Sequence, residues 1–126
     1  MKIKRGGNQR GSVRLISGKW RGRILYFPSI DGLRPTLGSQ RETLFNWLRP
    51  IIRNSRCLDL FAGSGALGFE AASAGANSVL MVEKSKKVYL SLLSNAELLN
   101  ADNCRIFHMT AQSFLKIYPE QFDIFF

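Results

Sequence analysis

Cysteine and histidine are scarce in this chain of 126 residues: Cys57, Cys104 and His108 are all it has. Both cysteines lie in apolar runs without metal-ligand spacing, which argues against a zinc site and for buried thiols of a reducing compartment rather than a disulfide. Long apolar runs are missing too. None approaches the roughly 20 residues of a membrane helix, and the N-terminus lacks the apolar segment of a secretory signal. The Arg-rich, acid-free start imitates a mitochondrial transit peptide, a reading opposed by residues 13–27, which have the pattern of folded structure. Acidic residues are nearly absent from residues 1–56, which carry 13 Lys+Arg against 2 Asp+Glu, whereas residues 57–126 carry 5 against 7. The formal charge of +9 is therefore a property of the first half. An arm or face of that kind suits a polyanionic partner, nucleic acid foremost, with a merely soluble basic surface as the alternative.

What is present is enough for one domain with a small core and an appendage. Residues 1–12, basic and glycine-rich with little to bury, are expected to be mobile until an anion orders them. The stretch 13–27 alternates around Ser17-Gly18-Lys19 and predicts a β-hairpin exposing Arg14, Lys19, Arg21 and Arg23. Trp20 has two readings, a ring stacked on a base among those cations or a ring packed on the main domain. Beyond a loop punctuated by Gly32 and Pro35, Leu37, Leu44, Phe45 and Leu48 share a helical face. Ser39 and Glu42 form a capping box that starts the helix near Gln40, and Pro50 marks its end.

The periodicity then alternates between strand and helix. Apolar strands at RCLDLF, SVLMVE, CRIFHM and FDIFF are separated by a helix reaching about Ala74, an amphipathic helix over 85–99 with Val88, Leu92, Ala96 and Leu99 in phase, and a short helix closed by Pro119. Such alternation predicts an α/β fold with a parallel sheet and helices on both faces.

The turn after the first of these strands reads G-x-G-x-x-G. Gly63 permits the turn, Gly65 lets a ligand approach the backbone and Gly68 brings helix and strand together. The motif alone is weak, but two carboxylates sharpen it. Asp59 lies inside the strand, four residues before Gly63, and Glu83 closes the next strand, where an acid can bind ribose hydroxyls. A carboxylate is poorly placed beside a pyrophosphate and well placed beside the amino group of a methionine moiety. These residues favour S-adenosylmethionine over NAD or FAD, and Asp59 can also cap the loop's own N–H groups.

At this point the chain resembles the RsmD-like family of bacterial methyltransferases, which modify the exocyclic N2 of a guanine in 16S ribosomal RNA. The resemblance rests on ISGKWRGRIL, GLRPT, RETLFNWL, CLDLFAGSGALGFEA and the SFL of residues 113–115, in the family's order. It implies a Rossmann-like fold, S-adenosylmethionine as cofactor, and ribosomal RNA or the assembling small subunit as partner, in the cytoplasm, without metal or membrane. Asp59, Phe61, Ala62, Gly63, Ser64, Gly65 and Gly68 would form the cofactor loop, Glu83 would bind the ribose, and Ala111 would lie near the adenine. Thr110 replaces the Asp or Asn that often reads the adenine amino group. Arg34, Thr36 and Arg41 would lie at the mouth of the site, and Arg14, Lys19, Arg21 and Arg23 on the RNA-facing hairpin. The division implied is a basic arm and hairpin, 1–36, and a partial methyltransferase domain, 37–126.

The family's Asp/Asn-Pro-Pro-aromatic motif, which aligns the amine and stacks on the flipped base, belongs after the fourth strand. The sequence stops at Phe126 just short of that place, and none of its four prolines adjoins another, so no catalytic residue is assigned. The expectation is a truncated product, its fourth strand an exposed apolar edge and the free chain poorly stable, with a partner-completed or inactive RNA-binding remnant as the alternative. A complete enzyme is expected to be a monomer.

Overall fold

The computed structural model describes residues 10–29, 38–118 and 121–126. Arg34, Thr36, Leu37, Pro119 and the basic residues of 1–9 lie outside the described residues, and with them the expectations placed there. Among the described residues, β1 (Arg10–Arg14) and β2 (Ile24–Pro28) form an antiparallel pair running from Arg14 opposite Ile24 to Arg10 opposite Pro28, with a single 3-10 turn at Gly18–Trp20 between them. Helix α1 (Gly38–Ile52) leads to β3 (Arg56–Asp59), α2 (Ala66–Ser73), β4 (Ser78–Glu83), α3 (Lys86–Leu99), β5 (Cys104–His108), α4 (Ala111–Ile117) and β6 (Ile124–Phe125). The four strands of the main sheet are parallel, in the order β5-β4-β3-β6.

Both faces of this sheet are covered, as the apolar strands require. Along β3 and β4 the side chains alternate: Cys57, Val79 and Met81 join the core with α2, α3 and the hairpin, whereas Leu58, Leu80 and Val82 pack with Phe114 of α4. Helix α3 begins at Ser85, whose hydroxyl accepts from the Val88 N–H, and closes at Asn100 in the left-handed region at φ 54°. Thr110 caps α4 in the same way, accepting from the Ser113 N–H. Each such cap contributes about 1 kcal/mol.

Helix α1 differs from its predicted limits. It starts at Gly38, which puts Ser39 inside the helix, and it continues two residues past Pro50 to Ile52. Proline removes only one N–H donor, and in the last turn Phe45 and Ile52 still hold the helix against the core.

The hairpin shares the core of the main sheet. Val13, Leu15, Trp20, Leu25 and Phe27 are buried in the same cluster as Phe69 and Leu92. Trp20 is only 7% exposed, so its ring packs inward and the stacking alternative falls. Polar side chains of the helices clasp the hairpin's main chain. Glu70 accepts from the Ile16 N–H, Ser73 accepts from the Trp20 N–H and donates to the Ser17 carbonyl, and Asn95 both accepts from the Tyr26 N–H and donates to its carbonyl. Gly18 makes the closest approach: at φ +83° its Cα faces the Ser73 carbonyl so tightly that an added Cβ would lie 2.0 Å from that oxygen.

Candidate functional site

The sheet delivers its chemistry to one edge. Chain order runs outward from β3 through β4 to β5 and then crosses back to β6 on the other side of β3, so the C-terminal end of β3 is a topological switch point, where open α/β sheets bind ligands. Asp59 ends β3, Glu83 ends β4 in register with His108 of β5, and Ala111 opens α4 just beyond.

Between β3 and α2 the loop 60–65 turns on Gly63 at φ 55° and Gly65 at φ 86°. Its N–H groups bond within the loop and to the ends of β3 and β4. The Gly63 N–H donates to Glu83 Oε1 at 3.0 Å, the Phe61 N–H to Asp59 Oδ1 at 3.2 Å, the Ala66 N–H to Ser64 Oγ at 3.2 Å, and the Ala62 N–H to the Val82 carbonyl at 3.0 Å. The second oxygen of Glu83 accepts from the Ser85 N–H, which ties the end of β4 to the start of α3. Ala62 and Ser64 are buried, while Phe61 is 77% exposed, its ring open at the rim of the loop.

Asp59 is the unusual group. It is 4% exposed, and among the described residues no cation pairs with it. Burial pushes its carboxyl up to about 6, the negative charge of Glu83 adds to the rise, and the Phe61 N–H opposes it. Asp59 thus caps one of the loop's own N–H groups, and its carboxylate lies buried beside the glycine turn.

Two of the glycines are held by protein packing. A Cβ on Gly65 would lie 2.7 Å from both Leu92 and Phe69, and one on Gly68 would lie 2.6 Å from the Met81 sulfur. Gly68 thus joins α2 to β4 as expected. At Gly65 the missing Cβ makes room for side chains of α2 and α3.

Arg41 departs most from expectation. Placed by resemblance at the mouth of the site, it is 3% exposed, and its Nη1 lies 2.6 Å from Glu70 Oε2 and 3.1 Å from the Arg14 carbonyl. Glu70 is fully buried; burial raises its carboxyl, the Ile16 N–H and Arg41 pull it down, and Oε1 has no hydrogen-bond partner. The pair fastens α1 and the hairpin to α2. A signal for it existed: Arg41 is in helical phase with Phe45, Leu48 and Ile52, and Glu70 interrupts an apolar run in α2.

The described cations of the hairpin are on the surface. Arg14, Lys19, Arg21 and Arg23 are exposed; Arg14 donates to the Gly22 carbonyl and Arg23 to the Leu98 carbonyl at the end of α3. Cys57 is buried and Cys104 half-buried, both as free thiols. Among the described residues no cluster of three metal-binding side chains occurs, and no helix is long and apolar enough to cross a membrane.

Comparison with known proteins follows these features. Ribosomal RNA small subunit methyltransferase D of Escherichia coli strain K12 is 50% identical over 105 residues, covering 83% of this chain and 53% of that protein. The protein of the same name from Haemophilus influenzae is 45% identical over 123 residues, covering 94% of this chain and 64% of its own length. The solved structure of yhhF from Escherichia coli superposes with a TM-score of 0.76 at 50% identity, over 83% of this chain and 57% of that one. A methyltransferase structure described as SMU.776, 18% identical over 98% of this chain with a TM-score of 0.67, shares the fold. The fold is thus Rossmann-like, of the methyltransferase kind, and the chain spans about half the length of the curated relatives first matched. The model of the family described as Conserved hypothetical protein 95 matches residues 13–126, and this chain belongs to that family, the RsmD-like family its motifs resemble.

Proposed function

We propose that the chain supplies the cofactor-binding part of an enzyme that transfers a methyl group from S-adenosylmethionine to the exocyclic N2 of a guanine in small-subunit ribosomal RNA. The observation that carries the cofactor assignment is Asp59. A buried carboxylate with no cation paired to it among the described residues fits a ligand that brings its own positive charge, and it disfavours the pyrophosphate of a dinucleotide. When bound, S-adenosylmethionine supplies a methyl group on a positively charged sulfur.

In this reading Asp59 receives the amino group of the methionine moiety. Backbone of 61–65 borders the ligand, Glu83 offers its remaining lone pairs to the ribose hydroxyls while still holding Gly63, and Ala111 lies at the adenine. Phe61 shields the site from water at its rim. Thr110 is committed to capping α4, so the adenine amino group has no side-chain acceptor at that position. The relatives' names support the rRNA substrate. Arg14, Lys19, Arg21 and Arg23 take its phosphates, with residues 1–36 acting as the RNA-facing unit and 37–126 as the cofactor unit. This chemistry belongs to the cytoplasm. Lacking adjacent prolines, the chain offers no residue here to align the guanine amine.

Isothermal titration of the chain with S-adenosylmethionine and with NADH tests the assignment. Binding of the first and not the second is expected, and tight NADH binding would overturn the role given to Asp59. RNA binding without any cofactor binding would leave the RNA-binding remnant as the better reading.

A further inference from the structure

One cleft lies away from the glycine loop. It has a volume of about 430 Å³ and lies where the 3-10 turn of the hairpin meets α1 and the far end of α2, lined among others by Gly18, Arg21, Glu42, Asn46, Arg49 and Arg53. Helix α2 separates it from the cofactor loop: the loop precedes Ala66, the cleft touches Ala74, and eight helical residues span about 12 Å.

Its charge is lopsided. Three arginines and one acid, Glu42, line it, and no salt bridge among the described residues occupies Arg21, Arg49 or Arg53. Arg49 donates to the Asn46 side chain, which steadies it along the helix. The basic wall has a structural origin. Glu42, Asn46, Arg49 and Arg53 follow one stripe of α1 and its C-terminal turn, while Arg21 is brought across by the docked hairpin.

Resting on the reading that RNA is the substrate, we infer that this cleft binds the phosphodiester backbone of that RNA, as a second contact at the opposite end of α2 from the methyl-transfer site. Arginine's planar fork suits phosphate oxygens, and an excess of guanidinium over carboxylate around a concavity holds phosphates more firmly than the same charges spread on a convex face. Continuity favours RNA over a small anion. Arg21 belongs both to the cleft and to the exposed basic hairpin with Arg14, Lys19 and Arg23, so one strand following the hairpin enters the cleft. The contact positions the substrate and carries no base specificity.

The test is fluorescence anisotropy of a labelled small-subunit rRNA fragment binding to the chain across a potassium chloride series, for wild type, Arg49→Ala/Arg53→Ala and Arg49→Lys/Arg53→Lys. Removing both contacts is expected to lower the slope of log affinity against log salt by about 1.5 to 2 and to weaken low-salt binding about tenfold or more. The lysine variant should recover most of the slope, and titration with S-adenosylmethionine should be unchanged. Wild-type binding with the same slope in the alanine variant overturns the cleft assignment alone. A wild-type chain that binds no RNA overturns the RNA reading and this inference with it. Binding of inorganic pyrophosphate that the alanine variant loses, with the RNA slope intact, makes the cleft a small-anion site and also overturns it.

Discussion

Two buried carboxylates on neighbouring elements are treated in opposite ways. Glu70, inside α2, has Arg41 at 2.6 Å and the Ile16 N–H as further support. Asp59, at the foot of the glycine loop, has one backbone N–H and a second acid, Glu83, raising its proton affinity. Where the chain needs a charge for its own architecture, it encodes the counter-ion. Beside Asp59 no cation pairs with the carboxylate among the described residues, the feature on which the proposed ligand role rests. The region around Glu70 is accordingly about holding the hairpin, and the region around Asp59 is the one proposed to receive the cofactor.

The largest effect should come from breaking the complete pair. Arg41→Ala leaves Glu70 buried beside an unfilled gap and should cost about 3–5 kcal/mol in urea unfolding, enough to threaten folding. Replacing both residues, as Arg41→Met with Glu70→Leu, should restore much of that loss, and a double variant as unstable as the single one would show that the packing, not the charge, was decisive.

At the other carboxylate the expected outcome reverses. Asp59→Asn should weaken S-adenosylmethionine binding about 100-fold, in the range of about 2–5 kcal/mol for a severed buried charge contact, while leaving the ligand-free protein as stable as before or more so. Calorimetry read beside a thermal melt decides it, and unchanged affinity contradicts the ligand role.

Asp59 also fixes a pH dependence. Its folded-state value near 6 lies above the ordinary 3.8, so the proton is held more tightly in the folded protein. Its contribution to stability is complete below about pH 4 and is lost as pH rises through 6, a change of about 2–3 kcal/mol at most. The difference in unfolding free energy between wild type and Asp59→Asn should follow that sign between pH 4 and 7.5. Affinity for a cationic cofactor should strengthen over the same window.

The smallest effect belongs to the hairpin clasp. Ser73→Ala strands the Trp20 N–H and the Ser17 carbonyl, at a cost of about 1–3 kcal/mol in stability, and cofactor affinity should not move. A parallel loss of both would mean that the two regions are one.

Much of this was legible in the residues. Alternating strand and helix patterns, the glycine turn and the paired positions of Asp59 and Glu83 are local or nearly so, and local patterns survive folding. Arg41 and Trp20 were not legible in the same way. The fate of each depends on a partner far along the chain, Glu70 for one and Ser73 for the other, and a basic or aromatic residue at a pattern's edge looks the same before its partner arrives. Gly65 shows the same limit. Its φ of 86° suits a turn, but that its missing Cβ makes room for Leu92 and Phe69 depends on how α3 packs.

The clasp on the hairpin grips peptide groups rather than side chains: Glu70, Ser73 and Asn95 all address the main chain of residues 16–26. Recognition of that sort is indifferent to which amino acids the hairpin displays outward. Positions 14, 19 and 21 can therefore be rewritten with the clasp intact, whereas Arg23 also donates to the Leu98 carbonyl of α3, so the outward face of the hairpin is open to variation while its inner scaffold stays as it is.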